Sequence, residues 1–342
     1  MRRERPRRQE TTMNRQWILK ERPTGMVGPQ HFELRTSPVG TPAAGEVLVR
    51  TTLLSLDPAN RAWMAPSPTY KAPVLPGEMM HGFAMGEVLE SKAEGFAKGD
   101  LVDGMIGWQD HAVMKASDLT KRDRRHRPEH LMGVLGVTGL TAYHGLLDVG
   151  MPKAGETVLV SAAAGAVGSI VGQIAKIKGC RVVGTAGGPE KCAWLTRDLG
   201  FDAAVDYKAG NVRRALREAC PNGVDVYFDN TGGEVLNVAL FLMNLKGRVV
   251  CCGNLSQYNA EKPEPGPAAV PGLLVVKRLR MEGFIVMDFA DQQAKAVAEL
   301  AGWLAAGKIK AAEDIVEGFE NAPRALAELF QGRNRGKLLV RV

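Results

Sequence analysis

Seven residues, Ala162-Ala-Ala-Gly-Ala-Val-Gly168, follow the apolar run Val158-Leu-Val160. A buried strand that feeds a helix through a glycine turn brings backbone amides close enough to hold a pyrophosphate. Gly165 permits that approach, and Gly168 falls where helix packs on strand. Ala163 replaces the first glycine of the usual Gly-x-Gly-x-x-Gly pattern, which the turn tolerates if φ there stays negative. The chemistry on offer is dinucleotide binding. About twenty residues further on, an acid would hold the adenosine ribose hydroxyls of NAD. Here the second strand ends in Thr185-Ala-Gly-Gly188, followed by Pro189, Glu190 and Lys191. Glu190 falls in the first turn of the next helix, where it suits the helix dipole. Lys191 is a point charge able to meet a 2′-phosphate, so NADP(H) is preferred over NAD.

Metal chemistry has little support. The five cysteines are Cys180, Cys192, Cys220, Cys251 and Cys252, so no thiolate precedes Cys180 to join a zinc set in the first half of the chain. His31, His81, His111, His126, His130 and His144 have no accompanying ligand pattern, and no metal site is expected. Cys251-Cys252 reads as core, since no partner base is indicated. Without a metal to polarise an alcohol, simple alcohol oxidation loses its usual electrophile.

The elements that must position the loop follow from patterning. At 342 residues the chain favours two domains. From about Arg15 to Leu131 short β-branched runs alternate with Gly/Pro turns, which predicts a compact β domain. From Glu156 onward strands alternate with helices: Thr157 to Ser161, Arg181 to Thr185, Ala203 to Asp206, Val224 to Asp229 and Arg248 to Cys252 each precede or follow a helical stretch. Such alternation makes a parallel sheet covered on both faces. After a proline-rich loop, Glu261 to Pro271, a strand is expected at Met281 to Val286 and a helix at Gln292 to Ala306. The closing run Lys337 to Val342 reads as a strand that returns to the β domain. The division expected is a basic arm at 1–12, a β domain of 13–140 with 310–342, and a nucleotide-binding domain of 141–309.

The run Thr157 to Ala175 carries no charge over nineteen residues, nominally enough to span a bilayer. Its three glycines, two serines and one glutamine read better as strand, turn and helix, so no membrane association is expected. No charged-then-apolar segment opens the sequence, and the odd cysteine count argues against a disulfide framework. A reducing cytoplasm fits both. Net charge is +7, and Met1 to Glu10 supplies part of it with five arginines against two glutamates. That arm is polar and expected to be disordered, with Met13 to Trp17 starting the folded chain. A second basic run, Lys121 to Arg127, is more cheaply a solvated loop than a nucleic-acid grip.

These residues together resemble a known family. Leu56-Asp-Pro58, Gly139-Leu-Thr-Ala-Tyr143, the loop itself with Gly172-Gln-Ile-Ala-Lys176, Tyr227-Phe-Asp-Asn230, Cys252-Gly253 with Ser256 and Tyr258-Asn259, Met281-Glu-Gly-Phe-Ile285 and Gly318-Phe-Glu-Asn321 are similar to the zinc-independent medium-chain dehydrogenase/reductases. Within them the sequence resembles the leukotriene/prostaglandin, 2-alkenal and curcumin reductases. The resemblance runs from about Asn14 to Val342. It implies an α/β chain, a GroES-like β domain plus a Rossmann domain with a doubly wound parallel sheet, commonly dimeric. It implies NADPH and reduction of a carbon–carbon double bond conjugated to a carbonyl. Carried over, Ala164, Gly165, Ala166 and Val167 would wrap the pyrophosphate, Lys191 and Tyr207 would hold the 2′-phosphate end, and Gly187 is a further cofactor-binding residue. Asn230, the segment Cys252, Gly253, Asn254, Leu255, Ser256, Gln257 and Tyr258, and Asn334 would line the rest of the cofactor. The backbone of Phe284, Ile285 and Val286 would fix the nicotinamide carboxamide.

The sequence departs from the branch beside its substrate entrance. Ala59-Asn60-Arg61 replaces a typical Tyr-Met-Arg, His81 sits in a variable cleft segment, and Asn254 replaces a small apolar residue. Trp63, Met64, Tyr70 and Trp108 are candidate apolar walls of an interdomain cleft or, equally, β-domain core. Tyr258 is the expected catalytic donor, since a phenol with a pKa near about 10 stays protonated at neutral pH; a cofactor-packing role is the alternative. Rival functions are a quinone reductase of the same superfamily and, more remotely, a nucleic-acid-binding protein on a reductase fold.

Overall fold

The computed structural model describes residues 13–67, 69–262 and 265–342; the basic arm expected at 1–12 lies outside them. The chain opens with an antiparallel pair, β1 (Met13–Leu19) and β2 (Phe32–Pro38). Next come β3 (Glu46–Leu56), the short helix α1 (Pro58–Ala62), β4 (Ala84–Ser91), β5 (Leu101–Gly104), β6 (His111–Lys115) and β7 (Leu119–Lys121). Helices α2 (Pro128–Met132) and α3 (Val137–His144) lead out of this part, and α3 runs on into one π-turn segment, Gly145–Gly150.

Strict alternation follows. Strand β8 (Thr157–Val160) feeds α4 (Ala166–Ile177), β9 (Arg181–Ala186) feeds α5 (Pro189–Arg197), and β10 (Ala203–Asp206) feeds α6 (Val212–Ala219). Strand β11 (Val224–Asp229) feeds α7 (Gly233–Leu242), then come β12 (Met243–Cys251), α8 (Val270–Lys277), β13 (Arg280–Gly283) and α9 (Gln293–Ala305). The chain finishes with β14 (Glu313–Glu317), α10 (Ala322–Phe330) and β15 (Lys337–Arg341).

Among the described residues the alternating part forms one six-stranded parallel sheet, ordered β10-β9-β8-β11-β12-β13. The order reverses between β8 and β11, so the crevice at their carboxyl ends is the place where such sheets bind ligands. Every residue of β8 is buried, as a strand covered on both faces requires. The other large sheet, β14-β15-β3-β4-β5-β7 with β6 paired to β3, takes the two strands at one edge, β14 and β15, from the end of the chain. The return of the closing strand is therefore real: β15 lies antiparallel to β3.

The structure adds elements that patterning does not reveal. Helix α8 begins inside the proline-rich stretch expected as a loop; none of its residues is fully buried, and only Val270 and Leu273 pack partly buried against the core. Helix α10 fills part of the tail before the last strand. Strand β13 stops at Gly283 rather than at Val286, and the chain turns away where Phe284 packs edge-on against Phe228 and Phe289. Strand β12 starts at Met243, ahead of the expected Arg248.

Candidate active site

The phosphate loop is built around one tight turn. Ala162 takes the left-handed conformation, with φ at 46°, while Ala163 does not. The alanine in place of the first glycine is thus accommodated, because the strained position falls one residue earlier. The Ala163 amide donates to the Thr185 carbonyl at 2.8 Å, and the Gly165 amide to the Ala162 carbonyl at 2.9 Å. A Cβ on Gly168 would lie 2.5 Å from the Ala162 oxygen and 2.8 Å from the Ala163 Cα, so only glycine lets α4 pack this close to β8. No side chain caps the start of α4 at Gly165, which leaves its first amides facing the crevice for an anion. The loop is tied to the closing segment as well: the Gly336 amide donates to the Ala164 carbonyl at 2.9 Å.

Beyond β9 the structure collects positive charge. Half-buried Lys191, in the first turn of α5, donates from Nζ to the Asn334 carbonyl at 2.5 Å. Burial lowers the Lys191 pKa, and the neighbouring cations Lys208 and Arg335 push it further the same way. A Cβ on Gly187 would meet Lys208 Cε at 2.9 Å and the Tyr207 hydroxyl at 3.1 Å. Gly187, Lys191, Tyr207 and Asn334 therefore share one corner. Glu190 is 86% exposed and pairs with Arg335 at 3.1 Å rather than facing a ribose. The nearby acid is Asp206, whose carboxylate accepts from the backbone amides of Gly188 and Lys208, both at 2.9 Å. Sequence reasoning passed over Lys208, Arg335 and Asp206; Lys208 adjoins Tyr207, but Arg335 arrives from the other end of the chain.

A buried carboxylate organises the middle of the crevice. Asp229 Oδ1 accepts from the Tyr227 hydroxyl at 2.7 Å, from Ser161 Oγ at 3.1 Å and from the Thr231 and Gly232 amides at 2.9 Å each. Asn230 is locked to Ser161, with Nδ2 donating to its carbonyl at 2.7 Å. The next segment hangs from this corner: the Cys252 and Gly253 amides donate to the Asp229 carbonyl, the Leu255 amide to that of Asn230, and the Ser256 amide to that of Thr231. Burial pushes the Cys252 thiol up to about 12, which suits a packing residue rather than a nucleophile.

Tyr258 ends this segment. Its hydroxyl oxygen accepts weakly from the Asn254 amide at 3.5 Å, which leaves its proton available for donation. Burial raises its pKa above 10.0, so it remains a neutral phenol. Tyr70 lies close enough to Tyr258, Asp57 and Cys252 for their charges to oppose its own ionisation, after burial, the main cause. Trp63 presents its ring edge to Tyr70 and to His81, with centroids 6.5 and 6.4 Å apart. Burial and Lys71 lower the His81 pKa against the pull of Glu78, and its Nδ1 is a buried atom without a partner. Met64 and Trp108 are fully buried in the β-domain core. Asn60 is 1% exposed, with its amide engaged by the Asp57 amide and the His81 carbonyl, so it supports the wall from beneath rather than forming it.

Among the described residues no three His, Cys, Asp or Glu side chains are placed to hold a metal ion. The basic run is neutralised locally: Lys121 pairs with Asp100, Arg122 with Asp103, Arg124 with Glu87, Arg125 with Asp123 and Arg127 with Glu129.

Comparison with known proteins agrees with this geometry. Residues 15–121 match the family described as the N-terminal domain of oxidoreductase, and residues 166–302 the zinc-binding dehydrogenase family. The NADPH-dependent curcumin reductase of Escherichia coli is 44% identical over 98% of both chains. The chain belongs to the medium-chain dehydrogenase/reductases, in the branch of these double-bond reductases. The NADP(+)-dependent 2-alkenal reductase of Nicotiana tabacum is 41% identical over 97% of this chain and 98% of its own. The crystal structure of CurA from Vibrio vulnificus in complex with NADPH superposes with a TM-score of 0.93 at 42% identity, covering 96% of this chain and 99% of that one.

The cation corner generates a direct prediction. An adenosine ligand bearing a 2′-phosphate, such as 2′,5′-ADP, should bind more tightly than 5′-AMP by about 1.5–3 kcal/mol, the worth of a charge-assisted hydrogen bond. Titration calorimetry on Lys191→Ala should show most of that difference gone. Equal weakening of both ligands would contradict the assignment.

Proposed function

We propose that this enzyme reduces the carbon–carbon double bond of α,β-unsaturated aldehydes and ketones with NADPH. Its family membership supports that reading, and one observation carries it: a phenol kept protonated by burial, Tyr258, ends the segment hung from the sheet's switch point. The residues present fit the cofactor. An uncapped α4 with Gly165 at its start suits a pyrophosphate, and Lys191, Lys208 and Arg335 around Gly187 suit a 2′-phosphate. Ala164 to Val167, Asn230, Cys252 to Tyr258, Phe284 to Val286 and Asn334 would hold the remainder. We take 141–309 as the cofactor-binding domain and 13–140 with 310–342 as the substrate-binding one.

Bound there, NADPH supplies hydride to the β carbon of the conjugated acceptor. The protein's task is to receive the negative charge that this develops on the carbonyl oxygen. Tyr258 Oη donates its hydrogen bond to that oxygen. Tyr70 and neutral His81 line the acceptor's side of the cleft in this reading, with buried Trp63 packed against both.

Two copies of the chain pair in this reading. Strand β13 is an outer strand of the parallel sheet, bonded to β12 on one side, and Val275 and Val276 on the neighbouring α8 are 74% and 68% exposed. A second copy meeting β13 about a two-fold axis would cover both. No helix of the described residues is long and apolar enough to cross a membrane. The five cysteines are unpaired thiols, as a reducing cytoplasm would keep them.

The decisive assay follows NADPH oxidation with enals and enones beside quinones of matched size. The enones should turn over faster; preference for quinones would favour the rival quinone reductase. With the best enone, Tyr258→Phe should lower kcat by about a hundredfold, the loss typical of one oxyanion donor. Because burial raises the phenol's pKa above 10.0, wild-type kcat should show no fall attributable to Tyr258 below about pH 9. An unchanged kcat in Tyr258→Phe would remove the tyrosine from the chemistry.

A further inference from the structure

The motif Leu56-Asp-Pro58 leads into Arg61, to which the function described so far assigns no role. Its side chain is almost wholly enclosed, at 6% exposure, and among the described residues no carboxylate pairs with it. Burial alone lowers its pKa. A cation taken out of water without a counter-ion is costly and persists where its hydrogen bonds are needed. The Arg61 bonds are specific. Nη2 donates to the Pro23 and Gly25 carbonyls at 3.0 and 3.2 Å, and Nε donates to Asn259 Oδ1 at 3.0 Å. The same Asn259 oxygen accepts from the Val27 amide at 3.3 Å. Asn259 follows Tyr258 directly, so a residue on α1 and a loop from the start of the chain grip the residue beside the phenol.

We propose that Arg61 is a positioning residue for Tyr258, acting through the Asn259 side-chain oxygen. The proposal rests on the reading of Tyr258 as the donor to the substrate oxygen. The clasp joins the β-domain part of the cleft to the segment that carries the phenol, across 198 residues of sequence. Neighbouring bonds serve the same arrangement: Arg22 Nη1 donates to the Met64 and Ala65 carbonyls, which fastens the 22–28 loop to the end of α1. With Arg61 and Asn259 in place, the residue beside the phenol is held from α1 and from the 22–28 loop. The hydroxyl itself has the weak 3.5 Å contact to the Asn254 amide, while the Tyr258 backbone amide donates to the Leu255 carbonyl at 3.4 Å.

The test is a double-mutant cycle in the full-length enzyme at saturating NADPH, with folding followed by thermal melts. Asn259→Leu removes the acceptor and should lower kcat for the enone by about tenfold or more, while KM for NADPH changes little. Asn259→Asp restores an oxygen at the same place and should recover most of the lost activity. In a Tyr258→Phe background, Asn259→Leu should cost less than about a further twofold, since a group acting through another adds nothing once that group is gone. Arg61→Met, an apolar replacement of similar length suited to a buried site, should follow the same pattern and serves if Asn259→Leu folds poorly. A full kcat in the single variants, or an equal fold-loss in both backgrounds, would overturn the clasp while leaving Tyr258 its role. If Tyr258→Phe itself keeps full activity, the donor reading fails, and the clasp fails with it.

Discussion

The close passage of α4 over the end of β8 is the constraint on which the site depends. With no Cβ at Gly168, the helix start sits directly on the Ala162–Ala163 backbone, and the left-handed Ala162 turns the chain sharply enough to present its amides to the crevice. The Asp229 carboxylate repeats that function on the next strand by binding both Ser161 and the turn after β11. From it hang Asn230 and the 252–256 segment. The Gly336 amide then fastens the loop to the closing strand of the other sheet. One tight turn thereby fixes the relation between loop, crevice and substrate side.

Charge is distributed along the site in opposite ways at its two ends. At one end Lys208 and Arg335 stand near half-buried Lys191 and disfavour its charge, an arrangement that a dianionic phosphate relieves. At the other end burial raises the pKa of the Tyr258 phenol and the Cys252 thiol and lowers that of His81. That end is suited to charge that exists only while the reaction proceeds, since donors already in place there need not reorganise.

Much of this was legible in the sequence, for physical reasons. Five strand–helix alternations follow from continuous apolar runs bounded by turn residues, and the absence of an acid after Thr185 pointed to Lys191 without any coordinates. The resemblance supplied the roles expected of Tyr207, Asn230 and Asn334, which spacing alone could not. What stayed hidden depends on tertiary approach: Lys191 meets Asn334 across 143 residues, and Arg61 meets Asn259 across 198. Asn60 read as a cleft residue because it stands in the Ala59-Asn60-Arg61 departure from the branch's substrate entrance, yet its amide is engaged by the Asp57 amide and the His81 carbonyl. Helix α8 escaped because its apolar residues are divided between a partly buried contact, Val270 and Leu273, and the exposed Val275 and Val276, with none fully buried.

The position of an isotope label in the product tests the central claim most directly. With NADPH deuterated at the transferring carbon and a simple enone as acceptor, the account predicts a saturated ketone carrying deuterium at the carbon β to an intact carbonyl, read by NMR. An allylic alcohol labelled at its carbinol carbon would contradict it.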